Sequence, residues 1–123
     1  MFKVILADDE PVIIRGLRKL IAWDKLDAEV IADACDGEDL LRKVQKFQPD
    51  IIVSDVAMPK MTGLDVIEEI RKNDWNVKVI FLSGYQEFDY VKKALSREAV
   101  DYLLKPVGKE ELEHAITRAE QML

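Results

Sequence analysis

Five short apolar runs alternate along the chain with longer stretches whose apolar residues recur at helical spacing. The runs are Lys3–Ala7, Ala28–Ala34, Asp50–Ser54, Val77–Ser83 and Val100–Leu104. They are nearly free of polar interruptions, which predicts strands covered on both faces. The stretches between them predict five helices. The first begins near Pro11, a residue suited to a first helical turn, and turns Ile13, Leu17, Leu20 and Ile21 to one face. The second spans Gly37 to Phe47 with Leu40, Leu41 and Val44 inward. The third follows Gly63 with Leu64, Ile67 and Ile70, and the fourth starts near Glu87 with Val91, Ala94 and Leu95. The last runs from Lys109 with Leu112, Ile116 and Ala119. Five strands, each followed by a helix, predict an α/β domain with a parallel sheet, and right-handed crossovers place helices on both of its faces. With no internal repeat, low-complexity tract or linker, a single domain over residues 1–123 is expected.

Composition narrows the function classes. The chain has 123 residues, about one domain, and a hydrophobic content of 49%, enough to fill one core. Eighteen basic residues against 24 acidic ones leave a net charge of -6. That argues against direct binding of nucleic acid or an anionic membrane by bulk electrostatics. Cys35 is the single cysteine, so no internal disulfide can form. It reads as a buried or half-buried thiol in a reduced, cytoplasmic compartment. The first apolar run is cut off by Asp8, Asp9 and Glu10, which does not suit a signal peptide, and no run reaches the length of a membrane span.

The candidate chemistry lies at the strand ends. In open parallel sheets, ligands bind beyond the carboxyl ends of the strands. The first run ends in Asp8, Asp9 and Glu10, the third at Ser54-Asp55, the fourth at Ser83-Gly84, and the fifth at Lys105-Pro106. If these strands are neighbours, the groups converge on one crevice. Clustered carboxylates raise one another's pKa, and a hard divalent cation such as Mg²⁺, which prefers oxygen ligands, relieves the repulsion. Lys105 adds a positive charge and Ser83 a hydroxyl. Acids, a hydroxyl and a lysine around a central carboxylate make a phosphoryl-transfer site in which Asp55 serves as the nucleophile. The plainer readings are that Asp8, Asp9 and Glu10 cap the first helix, that Ser83 is a turn residue, and that Lys105 is a solvated surface lysine.

The chain resembles the receiver domains of two-component response regulators. The resemblance rests on Asp8-Asp9 after the first strand, on Asp55, Met58, Pro59, Met61 and Gly63 in a D-x-x-M-P-x-M-x-G pattern, on Ser83, and on Tyr102 to Pro106 in Y-L-L-K-P. It covers essentially the whole chain. It implies a flavodoxin-like strand order 2-1-3-4-5 and phosphorylation of Asp55 by a sensor histidine kinase. It implies Mg²⁺ held by Asp8 or Asp9, with Asp9 the direct ligand in most members, together with Asp55 and the backbone carbonyl of Ala57. Ser83 and Lys105 would each meet a phosphoryl oxygen. Tyr102 would act with Ser83 as the switch pair, and the Lys105-Pro106 bond would be cis. Trp23, the stretch Ser83–Leu95 and the stretch Asp101–Val107 further resemble receivers fused to AraC-type helix-turn-helix domains. On that likeness the chain is expected to be either a stand-alone receiver or a segment of a longer transcription regulator. The face built from the fourth helix, the fifth strand and the fifth helix would then control its own output domain, with homodimerisation on phosphorylation.

One departure is Glu98, where many relatives carry glycine before the fifth strand; a non-glycine is strained in a left-handed helix ending. Three other readings compete. A Mg²⁺-dependent phosphohydrolase would need a second acid two residues past the nucleophile, where Ala57 stands. The domain is therefore expected to catalyse only its own phosphorylation and slow dephosphorylation. A flavodoxin-like FMN binder would need a phosphate loop where this chain has acids. A receiver that no longer takes phosphate would not need the complete acidic set.

Overall fold

The computed structural model describes residues 1–84, 87–88, 92 and 99–123. Five parallel strands form one sheet: β1 (Phe2–Ala7), β2 (Ala28–Ala34), β3 (Ile51–Asp55), β4 (Lys78–Ser83) and β5 (Asp101–Leu104). Their order is β2-β1-β3-β4-β5, the flavodoxin-like arrangement. The helices are α1 (Pro11–Leu20), α2 (Gly37–Phe47), α3 (Gly63–Lys72) and a C-terminal helix (Lys109–Gln121), with a 3-10 turn at Trp23–Leu26. The fourth expected helix falls largely outside the described residues. Val91, Ala94 and Leu95 lie there, as do Tyr85, Tyr90 and Glu98.

Side chains alternate across a strand, and here both faces are covered. Val4, Leu6, Ile51, Val53, Ile80 and Leu82 enter a core shared with α1 and the C-terminal helix. Ile5, Ala7, Ile52, Val79 and Phe81 enter a second core with α2 and α3. This two-sided burial explains the unbroken apolar runs. Each fully buried Leu or Ile contributes roughly 1.5–3 kcal/mol relative to an exposed one. The helices follow the expected faces with adjustments. α1 buries Ile14 as well as Leu17, leaving Ile13 and Leu20 half-buried. α3 buries Val66 beside Ile67 and Ile70, with Leu64 half-buried. An apolar stripe about 100° wide accommodates both sets of positions, so spacing alone does not choose between them.

Local sequence sets the helix starts. Pro11 opens α1, and Asp36 caps α2 by accepting from the Asp39 N–H at 2.8 Å. Thr62 and Asp65 bond each other's backbone N–H reciprocally at the start of α3, a capping box. Trp23 is buried, and its Nε1–H donates to the Leu17 carbonyl at 3.3 Å. Cys35 corrects the expectation of a buried or half-buried thiol. It is exposed, because it falls in the turn between β2, an edge strand, and the Asp36 cap. His114 is exposed on the C-terminal helix.

Candidate phosphoryl-transfer site

β1, β3, β4 and β5 are consecutive neighbours, so their carboxyl ends meet. Asp8 follows β1 and is fully buried. Its N–H donates to the Ala34 carbonyl at 3.1 Å, which ties it to the end of β2. Its Oδ1 accepts from the Glu10 N–H at 2.9 Å, and its Oδ2 accepts from Lys105 Nζ at 2.8 Å. Glu10 is the N-cap residue of α1 yet makes no side-chain cap. Glu10 therefore does not act as a side-chain cap, and Asp8 faces Lys105.

Asp55 is the last residue of β3, paired in register with Leu82 of β4. It is 7% exposed. Its Oδ1 accepts from the Ala57 N–H at 3.4 Å, and its Oδ2 lies 3.2 Å from Lys105 Nζ. Asp9 is exposed, and one carboxylate oxygen from each of Asp8, Asp9 and Asp55 lies within 4.8 Å of the others. Ser83 ends β4 and is buried, and its carbonyl accepts from the Lys105 N–H at 2.9 Å. The Lys105–Pro106 peptide bond is cis.

Tyr102 lies on β5 three residues before Lys105. Its half-buried ring stacks on Phe81 with centroids 6.3 Å apart and planes 22° from parallel. It is joined to the strand end that carries Ser83 through the β4–β5 ladder.

Burial pushes the Asp55 carboxyl above its ordinary range. The Lys105 charge opposes that rise and the Asp8 charge adds to it. Burial works to lower the Lys105 ammonium, but its hydrogen bond to Asp8 and the charges of Asp55 and Asp8 hold it above its usual value. Among the described residues, the cluster thus gathers three carboxyl groups around one lysine. Hard oxygen donors fit Mg²⁺. Asp8, Asp9 and Asp55 are the residues that could hold it.

The loop after Asp55 is pinned at both ends. The Val56 N–H donates to Leu82 O at 3.0 Å, and the Gly63 N–H to Val56 O at 2.8 Å. A Cβ on Gly63 would meet Asp55 O at 2.7 Å and the Phe81 ring at 2.8 Å, so the glycine allows α3 to start against the strand end. The sequence reading missed a third support, the start of α2. The Gly37 N–H donates to Pro59 O at 3.4 Å, and Asp36 Oδ2 lies 3.7 Å from Lys60 Nζ. In the sequence only the Asp36-Gly37 pair at a helix start marks it.

An open parallel α/β sheet with an acidic cluster and a lysine at its carboxyl edge defines a class of sheet-edge site proteins. The family follows from comparison with known proteins. The family of response regulator receiver domains matches residues 4–117, and the chain belongs to that family. It is a receiver domain of a response regulator, the signalling class of two-component systems. It is 38% identical over all 123 residues to the transcriptional regulatory protein HptR of Staphylococcus aureus, covering 48% of that protein. It is 37% identical to a response regulatory protein of Staphylococcus epidermidis, again covering 48%. The chain thus spans about half the length of the curated relatives it matches.

Among solved structures, the receiver domain of AraT, a response regulator from Geobacillus stearothermophilus, superposes with a TM-score of 0.91 at 35% identity, over 98% of this chain and 94% of that one. A two-component transcriptional regulator AraC from Clostridium phytofermentans gives 0.89 at 31% identity, with the same coverage. Among the described residues, no helix is long and apolar enough to cross a membrane.

Proposed function

We propose that this domain is a phosphoacceptor switch in which Asp55 takes a phosphoryl group from a phosphohistidine of a sensor kinase. The observation that carries the reading is the meeting of the Asp55, Asp8 and Asp9 carboxylates within 4.8 Å, with Lys105 Nζ 3.2 Å from Asp55. An Asp55 carboxylate oxygen attacks phosphorus. The O–P bond forms as the P–N bond breaks, and the electron pair leaves with the imidazole nitrogen, which takes up a proton. Burial leaves the Asp55 carboxylate weakly solvated, which favours it as a nucleophile. The Ala57 N–H orients it. The Lys105 ammonium, anchored by Asp8, stands ready to pair with a phosphoryl oxygen. The Ser83 hydroxyl, buried at the neighbouring strand end, meets another. When bound, a Mg²⁺ ion held by Asp8, Asp9, Asp55 and the Ala57 carbonyl supplies further neutralisation of phosphoryl charge.

Phosphate on Asp55 adds charge and acceptor oxygens. Ser83 shifts toward them, and its backbone is bonded to Lys105. Phe81 and Tyr102 face each other in the β4–β5 register, so the shift repacks Tyr102. The face that carries β5 and the C-terminal helix then changes and controls dimerisation and an output domain. The regulatory names of the relatives support a DNA-binding output outside this chain, and a reduced cytoplasmic setting fits a kinase-fed switch. Ala57 stands where a phosphohydrolase needs its second acid, which supports slow self-dephosphorylation rather than turnover of other substrates.

The test is incubation with acetyl phosphate and Mg²⁺ followed by intact mass. One added phosphoryl group, absent in Asp55→Asn and with EDTA and removed by hydroxylamine, is expected. No gain in the wild type, together with no binding of beryllofluoride, overturns the reading. For the output step, phosphorylated and unphosphorylated full-length regulator should differ in dimerisation, and equal dimerisation rejects it.

A further inference from the structure

The ligands expected for the cation come from two sides of the cluster, Asp8 and Asp9 after β1, and Asp55 with the Ala57 loop after β3. The N-terminus of α2 touches the second side directly and is tied to the first only through β2. It follows β2 by a two-residue connection, and Ala34 at the end of β2 accepts from the Asp8 N–H. Across the crevice it meets three consecutive residues of the loop. The Gly37 N–H donates to Pro59 O, and the Asp36 carboxylate faces Lys60 Nζ. The third contact is the closest: an added Cβ at Gly37 would lie 1.9 Å from Met61 O, 2.4 Å from Met61 C and 2.5 Å from Met61 Cβ. None of these atoms is the far end of a flexible side chain. Gly37 has no positive φ, so it is required for space and not for backbone conformation.

We propose that Gly37 is a positioning residue for phosphoryl transfer at Asp55, setting the spacing between the two halves of the cation site by letting α2 close onto the loop that carries Ala57. The inference rests on the phosphoacceptor reading above. A methyl group at Gly37 needs about 1.5 Å of relief to reach ordinary van der Waals contact. The loop ends cannot supply it. Val56 is bonded to β4, and Gly63 is packed against Asp55 O and Phe81. Within the loop, the displacement therefore falls on residues 57–61, which include Ala57 and Lys60, the latter already in the left-handed region at φ 67°. Supports behind metal ligands typically change metal affinity by roughly 10–100-fold when altered.

The experiment compares the wild-type chain, Gly37→Ala, Gly37→Ala/Lys60→Gly and Gly16→Ala. Gly16 is exposed in α1, with nothing within 4 Å of an added Cβ, and controls for the helix propensity of the exchange. The double variant gives the loop a glycine where its backbone is left-handed, so the loop can yield if the single variant does not fold. Two readouts are taken: the Mg²⁺ concentration that half-saturates phosphorylation by acetyl phosphate, and the rise in melting temperature on adding Mg²⁺ alone. The expected result is a half-saturating concentration raised at least tenfold and a smaller Mg²⁺-dependent rise in Gly37→Ala or, where that variant does not fold, in the double variant, with Gly16→Ala matching the wild type. A folded Gly37→Ala with both readouts within twofold of the wild type overturns the proposal, because a merely structural role lowers the melting temperature without moving Mg²⁺ dependence. Failure of both Gly37 variants to fold also overturns it, because Gly37 would then serve folding rather than positioning. A wild type that takes no phosphoryl group overturns the underlying reading instead.

Discussion

Lys105 is the counter-charge of a crowded acidic cluster, and its removal should be costly. In Lys105→Met the stem is kept and the ammonium is lost. Nζ lies 2.8 Å from Asp8 Oδ2 and 3.2 Å from Asp55 Oδ2. Each contact is worth about 5–6 kcal/mol of Coulomb attraction at an effective dielectric of about 20. The net loss is smaller, because the variant also removes the cost of desolvating the ammonium, and Lys105 is itself 25% exposed. Asp8 has no exposure to regain solvation. Breaking a buried pair from one side costs about 3–5 kcal/mol, and the partial exposure of Lys105 sets about 3 kcal/mol here. For a domain of this size that lowers the melting temperature by about 10 °C. The assay is thermal denaturation by circular dichroism at pH 7 with EDTA, repeated with Mg²⁺. The gap should narrow with Mg²⁺, since a cation among the carboxylates replaces the lost charge. A variant that melts within about 3 °C of the wild type in EDTA refutes the view that the ammonium holds the cluster together.

Three further substitutions probe the same frame. Gly63→Ala should destabilise the fold by about 1–3 kcal/mol, because its Cβ meets the Asp55 carbonyl and the Phe81 ring; an unchanged urea midpoint would reject that contact. Gly16→Ala should stabilise it by about 0.5–1 kcal/mol, because the site is open and helical, and a fall in melting temperature would count against it. Glu120 has a buried Oε2, and its carboxyl is raised above 4.5 by burial and then by the Asp27 charge. Its ionisation therefore opposes folding: the cost is absent below pH 4.5, grows as pH rises through the folded value, and is complete above it. Glu120→Gln should accordingly gain about 0.5 kcal/mol at pH 7 and nothing at pH 4; an equal gain at both values would exclude ionisation as the cause.

Much of this molecule was determined by the sequence alone. The alternation of apolar runs with helix-period stretches specified five parallel strands, because strands covered on both faces cannot carry polar residues at every second position. The acids at Asp8, Asp9 and Asp55 and the lysine at Lys105 were legible because each interrupts or ends an apolar run, where a charge has no packing reason to be. Local signals also gave the start of α1 at Pro11 and the bounds of α2. Tertiary structure decided the rest. Whether Ile13 or Ile14 faces the core depends on how α1 is rotated against the sheet, and an amphipathic stripe is too broad to say. Cys35 is exposed because β2 lies at the edge, which depends on strand order rather than on neighbours in sequence. That Asp8 is buried while Asp9 is exposed, and that Lys105 reaches two carboxylates at once, follow from strands distant in the chain ending at one level. The closeness of Gly37 to Met61 is the clearest case. The two residues are linked by no pattern of spacing, and only the packing of α2 against the loop after β3 makes the absence of a side chain at Gly37 matter.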